Sequence, residues 1–324
     1  MPLLNSLTNA LNKATDRLED AVHKQANKPR VPRDSKPQNY QQPLVDGHNS
    51  QPPQRKAYWH PSFTPSTPVN EHFRHEIGAH GWGNNEAQTY CPDPRNSFFS
   101  PSPASNAVHV VAIADQKSLS DKFTSARLTS HQTLSRRRGA LSARITAPIA
   151  KGVWPAFWLL PADPFKWPDD GEVDIFEAWD GSTQNHSCLH WGHFNGEDWN
   201  KHRVIETELG YRITAGAAGP GHADQDGVLF EFAWDEAEDG KDGRLIWYVD
   251  GKPVMKAHKP QGTRSLKDYR ILINVAMGGN VCKGRLPDDG RYEMVVRDLA
   301  MWEEPACGWS KFDKDFKDAK EGHP

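Results

Sequence analysis

Short apolar runs, separated by clusters of Gly, Pro and Asp, recur through most of this chain. We read the following runs as strands: 107–114, 124–129, 140–148, 153–160, 172–178, 186–193, 228–234, 245–250, 270–277 and 293–302. Many short strands with turn signals between them are typical of a sandwich or a barrel. No long helical period interrupts them, and no Gly-rich phosphate loop follows any strand, which disfavours a dinucleotide-binding fold. The pattern therefore predicts an all-β jelly-roll sandwich.

One connection carries its own turn signal. In the segment RLIWYVDGKPVMK, the pair Asp250-Gly251 sits between two alternating apolar runs. An Asp-Gly pair in this position is a strong signal for a two-residue type I′ hairpin. Antiparallel pairing of the strands is the natural consequence.

The two ends of the chain differ from its centre. Apolar residues recur at helical spacing near the start, at Leu4, Leu7, Leu11, Ala14, Leu18 and Ala21. Residues 1–24 are therefore predicted to form an amphipathic helix that docks, self-associates or contacts a membrane surface. Residues 25–56 are rich in Pro, Gln, Asn and charged residues, which predicts a disordered linker. Residues 310–324 are predicted to form a charged tail, either as a short helix or as a loose segment. One domain of catalytic size, 57–309, remains.

Charge and composition limit the classes of molecule that this chain is expected to bind. The formal net charge is −3 and the basic residues are scattered, so nucleic acid is not expected as the main partner. No apolar stretch approaches the roughly 20 residues of a membrane span, and the N-terminus lacks the apolar core of an export signal. We expect a cytoplasmic or otherwise intracellular location, with non-classical secretion left open. The four cysteines show no metal-ligand spacing and, in a chain without an export signal, are expected to be reduced. No metal ligands and no cofactor are predicted.

Acidic residues gather on one predicted strand. Glu172 and Asp174 point to one face because alternate residues of a strand share a face, while Val173 points to the other. Glu177 falls on the wrong face in a regular strand. A β-bulge at 175–176 would insert one extra residue and bring all three carboxylates to the same side.

Such an acidic row has several interpretations. Carboxylates on an exposed strand are usually solvated or salt-bridged, and a calcium or magnesium cluster is a further possibility. Both of these interpretations are weakened here, because the three acids repel one another and no Lys or Arg lies between them. Two carboxyl groups about 5 to 5.5 Å apart are the arrangement of retaining glycosidases, and their repulsion drives their pKa values apart.

Tryptophans surround the acidic segment. Trp154 and Trp158 share one face of the preceding strand, and Trp167 lies five residues before Glu172. Any one of these indoles could belong to the core. Their proximity to the acids favours stacking on sugar rings for at least one of them.

The segment G-E-V-D-I-F-E, from Gly171 to Glu177, resembles the bulged E-x-D-x-x-E signature of glycoside hydrolase family 16. Four other stretches resemble landmarks of that family in the same order: Gly81 to Gln88 (GWGNNEAQ), Trp154 to Pro161 (WPAFWLLP), Trp247 to Gly251 (WYVDG) and Leu272 to Asn280 (LINVAMGGN). Together the resemblance covers roughly residues 57–302. It is closest to the laminarinase-like endo-1,3(4)-β-glucanases.

The resemblance implies a jelly-roll of the concanavalin A-like type, with a substrate cleft on its concave sheet. By position, Glu172 would be the nucleophile, Asp174 the assisting carboxylate and Glu177 the general acid/base. The residues expected to line the cleft are Trp82, Asn84, Asn85, Trp154, Trp158, Trp167 and His190. The implied activity is retaining endo-hydrolysis of β-1,3, or mixed β-1,3-1,4, bonds in a β-glucan polysaccharide or oligosaccharide.

The chain departs from the family pattern in one place. Pro61-Ser62-Phe63 stands where the family usually has D-E-F, which argues against the structural calcium that many relatives carry. Two alternative functions stay open at this point: a transglycosylase that uses the same acids, and a non-catalytic glucan-binding lectin on the same fold.

Overall fold

The structure, a computed structural model, describes residues 55–102, 105–192, 201–218 and 225–324. The predicted helix 1–24, and the predicted linker up to residue 54, lie outside these ranges. The strands are β1 (Ala57–Trp59), β2 (Phe73–Glu76), β3 (Thr89–Tyr90), β4 (Ser97–Phe99), β5 (Ala107–Ala114), β6 (Phe123–Ser125), β7 (Arg127–Thr133), β8 (Arg138–Thr146), β9 (Val153–Pro161), β10 (Glu172–Glu177), β11 (Gln184–His190), β12 (His202–Glu208), β13 (Val228–Glu236), β14 (Gly243–Val249), β15 (Lys252–His258), β16 (Tyr269–Met277) and β17 (Gly290–Trp302). Short 3₁₀ helices span Val69–Glu71, Gly81–Gly83, Gly210–Ile213 and Leu266–Asp268, and one α-helix, α1, spans Trp309–Asp318.

These strands form two sheets. The larger has the order β15-β14-β13-β8-β17-β5-β6-β3, with β1 paired to β17 and β4 paired to β5. The smaller has the order β12-β11-β10-β9-β16-β7-β2. Pairing is antiparallel in both sheets, apart from the short parallel contact of β3 with β6. The all-β sandwich predicted from the sequence is confirmed.

A single apolar core lies between the sheets. Alternation along each strand sends one side chain in two inward, as with Val173 on β10 and Phe230 on β13. An aromatic contact joins the layers, since the ring centroids of Phe176 on β10 and Phe230 on β13 lie 5.1 Å apart. Within the larger sheet, the paired rings of Phe232 and Trp247 lie 4.9 Å apart. Burying each such side chain contributes about 1.5–3 kcal/mol. The core therefore gives the smaller sheet, which carries the acids, a firm support.

The hairpin between β14 and β15 has the predicted turn. Asp250 and Gly251 have φ values of 48° and 72°, and a type I′ turn requires positive φ at both positions. The Asp250 carboxylate also accepts a hydrogen bond of 3.0 Å from the backbone N–H of Leu229 on the neighbouring strand. The turn that sets this register is thereby fixed to the sheet.

The α1 helix covers the outer face of the larger sheet. Phe312 is fully buried there, against a small cluster formed by Ala140, Ala233, Ile246 and Tyr248. Arg244 of β14 donates a hydrogen bond of 2.7 Å to Asp313 of the helix. The part of the chain for which the sequence allowed a short helix or a loose tail is thus an α-helix up to Asp318.

Residues beyond α1 contact both sheets. The backbone N–H of Val204 on β12 donates to His323 O at 2.9 Å, and His323 N–H donates back to Val204 O at 3.1 Å. Lys256 N–H of β15 donates to Lys320 O at 2.8 Å. Because β12 and β15 end their respective sheets, this segment bridges the two edges.

We expect Phe312→Ala to lower the free energy of unfolding by about 3–5 kcal/mol, because it leaves a cavity under α1 that the sheet cannot fill. Urea denaturation followed by fluorescence and circular dichroism measures this. Tyr211→Ala is the matched control, since Tyr211 is 76% exposed and its loss should cost less than about 0.5 kcal/mol. Equal, small effects of both substitutions would show that α1 contributes little to stability.

Candidate active site

The acidic strand β10 lies in the interior of the smaller sheet, between β9 and β11. Its pairing with β9 shifts register: Asp174 lies opposite Trp158, but Phe176 lies opposite Phe157, so Ile175 is the extra residue. The predicted bulge is confirmed. Ile175 and Phe176 both enter the core, so Glu177 returns to the face of the other acids.

Indole N–H groups hold the two glutamates. Trp154 donates from Nε1 to Oε1 of Glu177 at 2.9 Å, and Trp167 donates from Nε1 to Oε2 of Glu172 at 2.7 Å. Hydrogen bonds to an ionised acceptor are stronger than those between neutral groups. The indole edges therefore orient the carboxyl groups, and Trp167, at 50% exposure, keeps much of its surface open to a ligand.

Asp174 is the most deeply placed of the three acids, with 1% of its surface exposed. Nε2 of His190 lies 3.3 Å from its Oδ2 atom. The alignment is not that of a hydrogen bond, because Oδ2 has no hydrogen-bond partner among the described residues, so we treat this contact as electrostatic. The backbone carbonyl of Asp174 accepts from Trp247 Nε1 at 2.9 Å, which ties the strand to the opposite sheet.

The environment of Glu172 changes its acidity. Burial, and then the charge of Asp174, raise the pKa of Glu172 to about 7. The charges of His190 and Arg127, and the hydrogen bond from Trp167, act in the opposite direction and favour the ionised form. Glu172 is thus a group that can carry a negative charge near neutral pH.

The environment of Glu177 also weakens its acidity. Burial, followed by the charges of Asp174 and Glu172, raises the pKa of Glu177 well above its ordinary value, against the hydrogen bond from Trp154. Burial alone would lower the pKa of His190, but its contact with Asp174 and the charge of Glu172 outweigh this, so that pKa is raised. Burial and the neighbouring charge of Asp174 therefore oppose the simultaneous ionisation of both glutamates.

The loop 81–88 lies at one end of this acidic row. Asn85 Nδ2 donates to Asn280 Oδ1 at 2.8 Å, and Asn84 O accepts from the backbone of Asn280 at 2.8 Å. Gly279, next to this contact, approaches the Trp154 ring so closely that a Cβ there would lie 3.6 Å from it. The contacts of Asn280 and Gly279 therefore hold the loop that contains Asn84 and Asn85 close to Trp154; the role of these two residues in binding substrate stays a prediction.

Two of the expected tryptophans enclose an arginine that the sequence did not single out. The guanidinium carbon of Arg127 lies 4.8 Å from the ring centroid of Trp82 and 4.7 Å from that of Trp158. Trp158 also donates from Nε1 to Asn274 Oδ1 at 2.7 Å. Contact of a cation with an aromatic face is attractive, so Arg127 orders these two rings.

A buried polar network lies behind Arg127. Tyr90 OH donates to Glu86 Oε2 at 3.1 Å and accepts from Asn274 Nδ2 at 3.1 Å, while Gln88 Nε2 donates to Glu86 Oε2 at 2.6 Å. Glu86, Gln88 and Asn274 occur in the stretches that resemble the family. That signal was available in the sequence, although it gave no role for them.

The structure also brings a cysteine to the acids. Within the described ranges, Asp174, Cys188 and His190 each offer one potential ligand atom, and these atoms all lie within 4.8 Å of one another. The sequence spacing of the cysteines gave no such indication, because the residues approach one another only through strand pairing.

Among the described residues, no helix is long and apolar enough to cross a bilayer.

Comparison with known proteins finds similar glucanases. The family model described as the XgeA-like, catalytic GH16 domain matches residues 95–215, a range that includes β10. The chain is 25% identical over 256 residues to Glucan endo-1,3-beta-glucosidase A1 of Niallia circulans, covering 71% of this chain and 35% of that protein. It is 24% identical over 251 residues to Beta-glucanase of Rhodothermus marinus, covering 73% of this chain and 80% of that one. The chain thus spans about a third of the first of these relatives.

A similar solved structure supports the fold. The laminarinase catalytic domain from Thermotoga maritima MSB8 aligns with a TM-score of 0.60 and 24% sequence identity, over 78% of this chain and 99% of that one. At this level of identity the likeness establishes the architecture. The predicted jelly-roll sandwich is confirmed.

We expect Trp154→Phe to raise the pKa of Glu177 further, because the indole N–H that stabilises the ionised carboxylate is lost. The carboxyl carbon shift of Glu177, followed by NMR across a pH titration of selectively labelled protein, measures this. Trp158→Phe is the matched control: its N–H donates to Asn274 instead, so the Glu177 titration should stay in place. A lower or unchanged pKa in Trp154→Phe would contradict the assigned hydrogen bond.

Proposed function

We propose that this chain, which belongs to glycoside hydrolase family 16, is a retaining endo-β-glucanase that hydrolyses internal β-1,3 bonds of a β-glucan, with mixed β-1,3-1,4-glucan as a second substrate. One observation carries the proposal: the bulge at Ile175 brings Glu172 and Glu177 to one face of β10, where burial and the charge of Asp174 oppose the ionisation of both at once. Retaining glycosidases need one ionised nucleophile beside one protonated acid.

In the first step, protonated Glu177 donates its proton to the oxygen of the leaving sugar. The ionised carboxylate of Glu172 attacks the anomeric carbon, and the glycosidic bond breaks as the bond to the enzyme forms. The contributions of His190, Arg127 and Trp167 to Glu172 support this role, since all three favour its charged form.

In the second step, water enters and Glu177, now ionised, accepts its proton. The water oxygen bonds to the anomeric carbon, Glu172 leaves, and the β-configuration is regained. Burial, and then the charges of Asp174 and Glu172, raise the pKa of Glu177, which suits a group that must be protonated at the start of each cycle. Two carboxyl groups and water supply every proton and bond in this scheme, so the proposed reaction uses no resident cofactor.

A neutral glucan suits the charges near the acids. Sulfated galactans would call for several Lys or Arg beside the cleft, and Arg127, the cation that acts on Glu172, is held between Trp82 and Trp158. Flat indole surfaces stack well on glucose rings. Similarity to Glucan endo-1,3-beta-glucosidase A1 of Niallia circulans supports the choice of the β-1,3 linkage. Similarity to Beta-glucanase of Rhodothermus marinus supports a β-glucan as the substrate.

The proposal extends to the partners of the chain. We do not assign a nucleic-acid partner, since the net charge is −3 and the basic residues are scattered. Residues 1–24 would dock or self-associate through their apolar stripe.

Glu172→Ala should lower the rate of laminarin hydrolysis by about three orders of magnitude or more, because the nucleophile is lost. Azide should restore turnover of an activated β-glucoside and give the α-glucosyl azide, since the small anion fits the space of the missing carboxylate. Glu71→Ala, the same change in the 3₁₀ helix Val69–Glu71, is the control and should behave as the unaltered protein. Normal hydrolysis by Glu172→Ala would refute the assignment.

A substrate panel tests the linkage. Laminarin should be cleaved fastest, lichenan second, and carboxymethylcellulose and agarose hardly at all, as followed by reducing-sugar release and chromatography of the products. Early accumulation of oligosaccharides of mixed length indicates endo-cleavage. Activity confined to cellulose or agarose would overturn the proposed substrate.

A further inference from the structure

Strand pairing places a thiol among the acids. In the register of β10 with β11, Asp174 lies opposite Cys188 and Glu172 lies opposite His190. The intervening pair, Val173 and Leu189, enters the core. Since alternate residues share a face, Asp174, Cys188 and His190 all belong to the face of the cleft.

One carboxylate oxygen of Asp174 is buried without a hydrogen bond from any described residue. Oδ2 is buried and has no hydrogen-bond partner in the part of the chain that the structure describes, although Nε2 of His190 lies 3.3 Å away. An unsatisfied buried oxygen is costly, and more so when it carries charge. A cation at this point would satisfy it directly.

The chemistry of the three groups selects the cation. A thiolate, an imidazole nitrogen and a carboxylate oxygen are together a ligand set for Zn²⁺. Calcium and magnesium prefer oxygen ligands alone, so the thiol argues against the hard-cation cluster that an acidic row first suggests. Cys188, at 8% exposure, has no part in the glycosidase steps described above.

The surroundings of the cluster also favour a cation. Glu172 and Glu177 lie on the same face of β10 as Asp174, so further carboxyl oxygens lie next to the cluster. The side chain of His190 is 31% exposed, so one of the three groups reaches the protein surface.

We propose that Asp174, Cys188 and His190 form an inhibitory binding site for Zn²⁺. The ligand atoms lie within 4.8 Å of one another, and tetrahedral zinc brings such atoms to about 3.3–3.8 Å, a change that side-chain rotation supplies. Water or Glu172 completes the coordination. On binding, the thiol proton of Cys188 passes to solvent.

Inhibition follows from the position of the ion, and this part of the inference rests on the proposed function. Zinc held by Asp174 attracts the neighbouring carboxylate of Glu172. That carboxylate is then a weaker nucleophile toward the anomeric carbon. It also occupies His190, which the resemblance places beside the substrate. Binding of the metal does not itself depend on any glycosidase activity.

Cobalt titration of the full chain tests the binding step, because a Co²⁺–thiolate bond gives a charge-transfer absorption in the near ultraviolet. We expect this band in the unaltered protein and its loss on addition of Zn²⁺. Cys188→Ser and Cys188→Ala should lack the band. Their affinity for zinc, measured by calorimetry, should fall by at least roughly 10–100-fold, which is the loss caused by removing a residue that only hydrogen-bonds to a metal ligand. Cys282→Ser is the matched control, since Cys282 is also buried and should retain the band.

Laminarin hydrolysis tests the inhibition. Zn²⁺ should inhibit the unaltered protein and Cys282→Ser, with recovery on adding a chelator, while Cys188→Ser keeps its activity at the same zinc concentration. Melting temperatures confirm that the variants are folded. Absence of the cobalt band, or its persistence in both Cys188 variants, would overturn the site, and equal inhibition of all variants would overturn its inhibitory role. A Cys188-dependent band in a protein that cleaves no glucan would instead refute the proposed function and establish the metal site.

Discussion

The extra residue in β10 is the constraint on which the site depends. A regular strand would send Glu177 into the core and place a charged group among aromatic rings, at a cost of several kcal/mol. With Ile175 as the extra residue, two successive apolar side chains point inward and Glu177 points outward. The contact between Phe176 and Phe230 then holds the altered register in place. Packing on one side of the sheet thus determines the chemistry on the other.

The sheet tolerates three neighbouring carboxyl groups because each meets a different environment. Glu172 and Glu177 accept one indole hydrogen bond each, while Asp174 is buried beside His190. Unequal burial and unequal partners stop the groups from sharing their protons equally. Like-charge repulsion, which would destabilise a symmetric row, here separates the protonation states of the groups.

The sequence predicted features that depend on local rules. Alternation identified the acidic face and the bulge, and Asp250-Gly251 identified the hairpin, because both depend on neighbours in the chain. It did not predict β12, whose sequence His202–Glu208 is largely polar, or β2, which has only four residues. The sequence also gave no sign that Arg127 lies between Trp82 and Trp158, or that Cys188 lies beside Asp174. Those contacts come from pairing between strands, and residue spacing along the chain carries no information about them.

The segment after α1 has a consequence for association. The end strands of an open sheet offer unpaired backbone groups to which another chain can add a strand. Here Val204 on β12 and Lys256 on β15 direct backbone hydrogen bonds to His323 and Lys320, and a Cβ at Gly322 would lie 2.8 Å from the Val204 nitrogen. The same few residues therefore block strand addition at one end of each sheet, and any bulkier residue at Gly322 would reopen the edge of β12 to intermolecular pairing.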